Sequence, residues 1–214
     1  CCLVSLGATC GEPVQLGRPV SRTAVRLLSV LAARLDPRCF DLSPPVLLHL
    51  MSTSDEIICS PLTFGYAEFA MHDAERPLHF SEVPAVQGSG RGVLGGAGLA
   101  VPASSAHLDA ATAFAAWLCS PQVQTGVVLP AGGQPASRAA WDAAGELSNN
   151  AFFAGARAAM ERAALRPQHP EWPRVQQRIG QVTRDGLRTH QAPDQIADQV
   201  DQLLLAGEHA EVNA

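Results

Sequence analysis

The sequence predicts an α/β fold with a short sheet, and three observations lead to that class. Short apolar runs typical of strands alternate with amphipathic stretches early in the chain, and the later part has helical periodicity throughout. The chain has 214 residues and is 47% hydrophobic, which is enough for a sizeable core in one or two domains. Only a few runs qualify as strands, so the sheet is expected to be poorly covered.

Four helices are predicted in the first two thirds of the chain. The first covers residues 21–35, where apolar residues recur at helical spacing behind a serine cap. The second lies in SPPVLLHLMST, with Pro45 near its first turn. The third follows a cap at Ser104 or Ser105, and the fourth starts at Ser120 and Pro121. The sequence PAGGQPASR ends the fourth helix.

Two runs have the character of strands. DEIICSP is rich in isoleucine and closed by Pro61, which predicts a buried strand over 55–61. GLAVP predicts a second strand over 98–102. The polar, turn-rich residues 72–91 between them are expected to cross between two substructures.

The last third of the chain is predicted to be helical. The periodicity indicates helices at about 136–145, 149–165, 171–190 and 193–206, separated by prolines. The third of these is amphipathic, with an apolar face made of Trp172, Val175, Ile179, Val182 and Leu187.

Charge and motifs exclude several classes of function. The net charge is −5 and the 15 basic residues are scattered, which disfavours a nucleic-acid partner. No apolar run approaches the length of a membrane span. The sequence holds no flanked GxSxG, no phosphate loop and no dinucleotide fingerprint after a strand. We therefore assign no catalytic residue, no metal ligand and no cofactor.

The six cysteines show no metal-ligand or redox spacing. Cys59 and Cys119 lie in apolar runs and are expected to be small buried hydrophobes. Two alternatives stay open. Cys1 has the position of an acylated lipoprotein cysteine, although LVSL follows where a polar tether is usual. A cysteine-dependent enzyme would require a thiol with a lowered pKa.

Small or flat surface recurs at three glycine-containing places: FGY at 64–66, where aromatic residues flank the glycine, GGAG at 95–98 and GGQP at 132–135. Glycine lets a ligand approach the backbone, and aromatic faces offer apolar stacking area. This combination suits a polar, disc-shaped molecule such as a sugar ring, held without chemistry. The alternative is that the glycines only form turns and bulges.

The order of these motifs resembles the C-terminal part of the solute-binding proteins of carbohydrate-type ABC importers, the maltose-binding-protein-like family. The residues that carry the resemblance are DEIICSPLTFGYAEFA, GVLGGAGLAVPASSAHLDAATAFAAWLCSPQVQ, GGQPASRAAWD and the stretch from RPQHPEW to DQVDQLL. The resemblance implies a periplasmic-binding-protein-like (type II) fold of two α/β lobes with a ligand cleft between them.

The resemblance also implies a division of the chain. Residues 1–88 are expected to form part of the second lobe, 89–135 to return into the first lobe, and 136–214 to close the second lobe. Because family members are about twice this length, the resemblance implies a truncated chain that lacks most of the first lobe. Residues 89–135 would then have an exposed strand edge and exposed apolar helix faces.

Carried over by position, the resemblance assigns ligand contacts to the end of the first strand, the glycine segment, the second glycine pair and the last helical region. Trp172 has ordinary helix packing as its alternative, and Arg138 a surface ion pair. The full set of predicted ligand-binding residues is Leu62, Thr63, Phe64, Tyr66, Gly95, Gly96, Ala97, Gln134, Arg138 and Trp172.

The function implied is that of a non-catalytic subunit that binds a sugar or polyol and delivers it to an ABC permease in the membrane. The implied location is periplasmic or extracellular, with a lipoprotein tether as a variant of the full-length form, and the sequence shows no targeting signal. The alternative is a truncated relative that no longer binds solute and acts as a structural or interaction domain.

Overall fold

The computed structural model describes residues 18–71, 75–84, 91–147, 151–168 and 170–212. Over these ranges the chain is helical, with irregular connections and one isolated β-bridge. The α-helices are α1 (Arg18–Ala32), α2 (Pro44–Thr53), α3 (Leu108–Leu118), α4 (Pro121–Val123), α5 (Arg138–Leu147), α6 (Ala151–Glu161), α7 (Trp172–Arg188) and α8 (Pro193–Val212). A π-turn, Gln124–Val128, continues α4, and 3₁₀ turns cover Pro37–Phe40 and Ala67–Ala70. No helix in these ranges is long and apolar enough to cross a membrane.

The α/β prediction is wrong, because the described residues contain no sheet. The run at 55–61 is irregular, and Ile58 is 85% exposed where a buried strand was expected. Residues 98–102 are also irregular. The parallel bridge between Val93 and Ala164 is the one pairing in the described ranges. Without an adjacent strand to bond its backbone, an isoleucine-rich run does not form a strand. The expected periplasmic-binding-protein-like (type II) fold is therefore also wrong, because its two lobes are α/β and the described residues contain no sheet.

The predicted helices are confirmed, with shifted ends. The predicted starts at 21, 136, 149 and 171 become Arg18, Arg138, Ala151 and Trp172. The expected cap of α3 is absent. The helix begins after His107, and Ser105 Oγ accepts a hydrogen bond from the His107 backbone N–H at 3.2 Å instead.

The cysteine prediction is wrong where the structure tests it. Cys59 and Cys119 are both exposed, and Cys39 is half-buried. The apolar runs that suggested burial do not pack into a core. Cys1, and with it the lipoprotein hypothesis, lies outside the described residues, as do Cys2 and Cys10.

The described chain forms two compact units and alternates between them. The first unit contains residues 18–43, 83–84, 91–94, 162–168 and 170–212, and the second contains 44–71, 75–82, 95–147 and 151–161. The lobe boundaries predicted at 88 and 135 stay a prediction.

The first unit is built on α1, α7 and α8. Val25 of α1 packs on Ile196 and Ala197 of α8, and Ile179 of α7 packs on Val200. Two ion pairs at the surface also join α1 to α8: Arg22 with Asp198 (3.1 Å) and Arg26 with Asp194 (3.0 Å). The pairs show that α1 and α8 run antiparallel.

Aromatic side chains form the core of the second unit. Phe152 and Phe153 at the start of α6 are almost fully buried, and their rings lie at 5.8 and 5.1 Å from that of Trp141 in α5. Trp141 Nε1–H donates to the Pro135 carbonyl at 2.7 Å, so its polar atom is satisfied. Phe80 adds a fourth ring, edge-on to Phe152 at 5.1 Å.

One glycine allows this core to form. A Cβ placed on Gly65 would lie 2.4 Å from Phe152 Cε2, so only glycine lets the backbone at residue 65 rest on the ring. The irregular segment 62–66 is held against the core by this contact.

Helix α3 contrasts with the rest of the second unit, since none of its residues is buried. Phe114 and Trp117 are 54% and 49% exposed. The exposed apolar helix face expected in 89–135 is present on α3, whereas Val123 of the next helical segment and Leu129 at its end are buried. The expected strand edge is absent because the described residues of that segment form no strand.

We expect Gly65→Ala to lower the free energy of unfolding by about 1–3 kcal/mol, because the added methyl group overpacks the Phe152 ring. Gly98→Ala is the matched control in another irregular segment of the same unit, where a Cβ meets nothing within 4 Å. Urea unfolding of both variants measures the difference. Equal stabilities would contradict the packing described for Gly65.

Candidate functional site

The candidate site is a surface of the second unit on which Phe64 lies against Gly95. A Cβ placed on Gly95 would lie 2.9 Å from Phe64 Cε1, so the ring rests directly on the glycine backbone. Phe64 is still 37% exposed, which leaves part of the ring open to solvent. The structure thus brings together two predicted residues that are 31 positions apart in the sequence.

The backbone beyond Gly95 is open. Gly96 and Gly98 have no atom within 4 Å of an added Cβ, and Ala97 between them is exposed. This segment has no regular structure, so its amide and carbonyl groups are not committed to a helix or a ladder. We call Phe64 and residues 95–98 the platform.

The neighbours of Phe64 are partly buried. Leu62 and Thr63 are half-buried, and the Thr63 hydroxyl donates to the Phe64 carbonyl at 3.3 Å. Tyr66 precedes the 3₁₀ turn Ala67–Ala70, and its ring lies edge-on to Phe69 with centroids 6.4 Å apart. Because Tyr66 packs within its own turn, it supports the segment that carries Phe64.

Gln134 is exposed in the loop between the π-turn and α5. The loop is held by a buried residue that the sequence did not single out. The Gln124 side chain donates through Nε2 to the Leu118 carbonyl and accepts the Ala136 N–H at Oε1, both at 2.7 Å. Gln124 therefore fixes the loop next to Gln134 to the end of α3.

Arg138 is at the exposed start of α5 and binds a carboxylate. Its Nη2 donates to Glu161 Oε1 at 2.8 Å. The same oxygen accepts from Arg157 Nε at 3.0 Å, and Arg157 also pairs with Asp142. The surface ion pair given as the alternative for Arg138 is thus present.

Trp172 belongs to the first unit, apart from the other nine predicted residues. It is half-buried and packs on the apolar cluster of α7 and α8, and its Nε1–H donates to Gln176 at 3.2 Å. These contacts favour ordinary helix packing, which is the alternative given for Trp172.

A polar groove lies elsewhere in the first unit, along α7 and the start of α8. It contains none of the predicted residues. Its lining residues are Arg178, Gln181, Val182, Asp185, Gly186, Thr189, Gln191 and Gln199. Within the described ranges, no group of three or more His, Cys, Asp or Glu side chains is arranged to hold a metal ion.

The platform has the chemistry of a binding surface. An exposed aromatic face takes up the apolar side of a ring, and open backbone groups form hydrogen bonds with hydroxyls at its edge.

No protein-family model matches the chain, and no curated protein matches it.

The ion-pair cluster around Glu161 gives the second unit a small dependence of its stability on acid, because the cluster is exposed and solvent screens it. Hydrogen bonds from Arg157 and then from Arg138 hold the pKa of Glu161 below its ordinary value of 4.5. Because the folded-state pKa is lowered, the cluster stabilises the fold above the unfolded-state pKa. That contribution is lost as the pH falls through the lowered folded-state pKa.

We expect Glu161→Gln to flatten the fall of the thermal midpoint below about pH 4.5, since the variant has no carboxylate to protonate there. Arg157→Met tests the same cause from the other partner and is expected to reduce the acid sensitivity in the same way. Thermal unfolding followed by circular dichroism from neutral to acidic pH measures both. Curves that fall as steeply as that of the wild type would contradict the assignment.

Proposed function

We propose that this chain is the solute-binding part of a carbohydrate-type ABC importer and holds a sugar or related polyol without chemistry. The observation that carries the proposal is the contact between Phe64 and Gly95, which sets an exposed aromatic ring beside open glycine backbone. The order of motifs in the sequence supports the same class of function. The proposal depends on this surface and not on the α/β fold expected from the resemblance.

The ligand class follows from the surface. A ligand ring that stacks on Phe64 needs an apolar face. The same ring must carry hydroxyl groups that can form hydrogen bonds with the backbone at 95–98. Sugars and cyclic polyols have both features. Arg138 is bound to Glu161 and is not required for a neutral ligand.

The remaining parts of the proposal are the partner and the location. A subunit of this kind delivers its solute to permease subunits in the membrane and works in the periplasm or outside the cell, and a lipoprotein tether belongs to the same proposal.

The second candidate function is that of an interaction domain without solute binding. The specific observation in its favour is the exposed apolar surface of α3, on which no residue is buried. Surfaces of this kind mark contacts with other macromolecules.

The direct test is thermal unfolding of the full chain with a panel of sugars and polyols. A ligand that binds only the folded state stabilises it by about 2.7 kcal/mol at 100 times its Kd, which raises the midpoint by several degrees. We expect one solute class to give such a shift, and Phe64→Ala to abolish it.

The matched control is Val127→Ala, which removes an exposed apolar side chain from the same unit, outside the platform and outside α3. This variant should keep the shift. Concentrated sugars stabilise many proteins by exclusion from the surface, so the comparison between the two variants is decisive. Equal shifts in wild type, Phe64→Ala and Val127→Ala would refute the proposed site.

A further inference from the structure

Helix α3 is an apolar helix with little packing against the described part of the chain. It has 11 residues, none of them buried, and its packing on the other described helices is sparse. Helices of fewer than about 12–15 residues are marginal in water and depend on tertiary contacts. The half-buried side chains Ala111, Ala115 and Leu118 give α3 a single narrow line of contact with its own unit.

An exposed side of α3, next to this line of contact, has a regular pattern. Ala110, Ala113, Phe114 and Trp117 are all exposed and are spaced i, i+3, i+4 and i+7, so they form one stripe along the helix. The Phe114 and Trp117 rings lie 5.5 Å apart and tilted by 35°, which makes them a continuous aromatic patch. We call these four residues the α3 stripe.

The sequence around the α3 stripe carries almost no formal charge. Between Arg91 and Arg138 it contains no Lys, Arg or Glu and a single Asp, Asp109. Exposed surfaces that stay in water normally carry interspersed charges, which keep copies apart. A neutral surface is complementary to another neutral, apolar surface and not to a charged partner.

We infer that the α3 stripe is a dimerisation surface on which a second copy of this chain docks through its own α3, antiparallel. A two-fold axis between positions 113 and 114 sets Phe114 of one copy opposite Ala113 of the other, and Trp117 opposite Ala110. Large side chains therefore face small ones at every position of the stripe. This self-complementarity is what an isologous interface requires, and it favours a second copy over an unrelated partner.

The area available indicates a dimer that dissociates on dilution. With roughly 200 Å² for an aromatic side chain, the half-exposed rings and the alanines offer about 400 Å² per copy. A standard interface buries about 800 Å² per partner. The exposed residues on either side of α3 include no Asp, Glu, Lys or Arg between 92 and 137 and supply further area. Contacts of this size are typical of weak, transient complexes. This inference is independent of solute binding.

The test is the mass of the full chain, under reducing conditions, by sedimentation equilibrium over a dilution series. We expect twice the 22.5 kDa of one chain at high concentration and a return to one chain on dilution. Ala113→Glu should raise the dimer dissociation constant by more than about tenfold, because it sets a charge against Phe114 of the other copy. Ala113 is exposed in the single chain, and glutamate favours helices, so folding is not expected to change.

The matched control is Thr112→Glu, an exposed position on the same helix away from the stripe, which should leave the dissociation constant unchanged. A mixture of Ala113→Glu chains and Phe114→Arg chains should recover the dimer. The introduced carboxylate then faces the introduced guanidinium across the axis, and Phe114 of the first chain still faces Ala113 of the second. Circular dichroism confirms that each variant retains its helices.

Three results would overturn the inference. The wild type could remain a single chain at all concentrations, which would leave the α3 stripe to a different molecule. The two glutamate variants could weaken the dimer equally, which would place the interface elsewhere. The charge-paired mixture could stay monomeric while each variant is folded, which would exclude an antiparallel α3 contact.

Discussion

The contact between Gly65 and the Phe152 ring is the constraint on which the second unit depends. Phe152 is 1% exposed and lies among the rings of Phe80, Trp141 and Phe153, so its position is fixed by the core. The backbone at residue 65 fits against it only because glycine has no side chain. The irregular segment 62–66 is therefore held against the core, and the Phe64 ring lies against Gly95. A candidate site without regular secondary structure can then have a defined geometry.

Buried polar groups fix the other irregular parts of this unit. Gln124 is 6% exposed and uses both atoms of its amide to join the end of α3 to the loop before α5. The Trp141 indole binds the same loop at Pro135. Such bonds are costly to leave unmade once buried, so they hold the loop in one conformation. The exposed Arg138–Glu161–Arg157 cluster adds little by comparison, because solvent screens it.

Local pattern predicted the helices but not their partners. The apolar face of α7 could be read from spacing because a helix forms its own backbone bonds, and Ile179 and Leu187 do pack as that face requires. The strand at 55–61 could not be judged in this way, since a strand exists only beside another. Cys59 and Cys119 were misassigned for the same reason, as an apolar run is buried only where the fold covers it. Residue chemistry alone pointed to Phe64 and Gly95, but neither their contact nor the role of Gln124 has a signal in the sequence.

The account rests on the claim that Phe64 and the glycine backbone at 95–98 bind one ring together. The most direct measurement is an NMR titration of the chain labelled in phenylalanine rings and glycine amides, with the ring solutes added in turn. The account predicts that the Phe64 ring signals and the Gly95 and Gly96 amide signals shift together and saturate at the same concentration of one solute class. Saturable shifts confined to other residues, or no saturable shift with any solute, would contradict it.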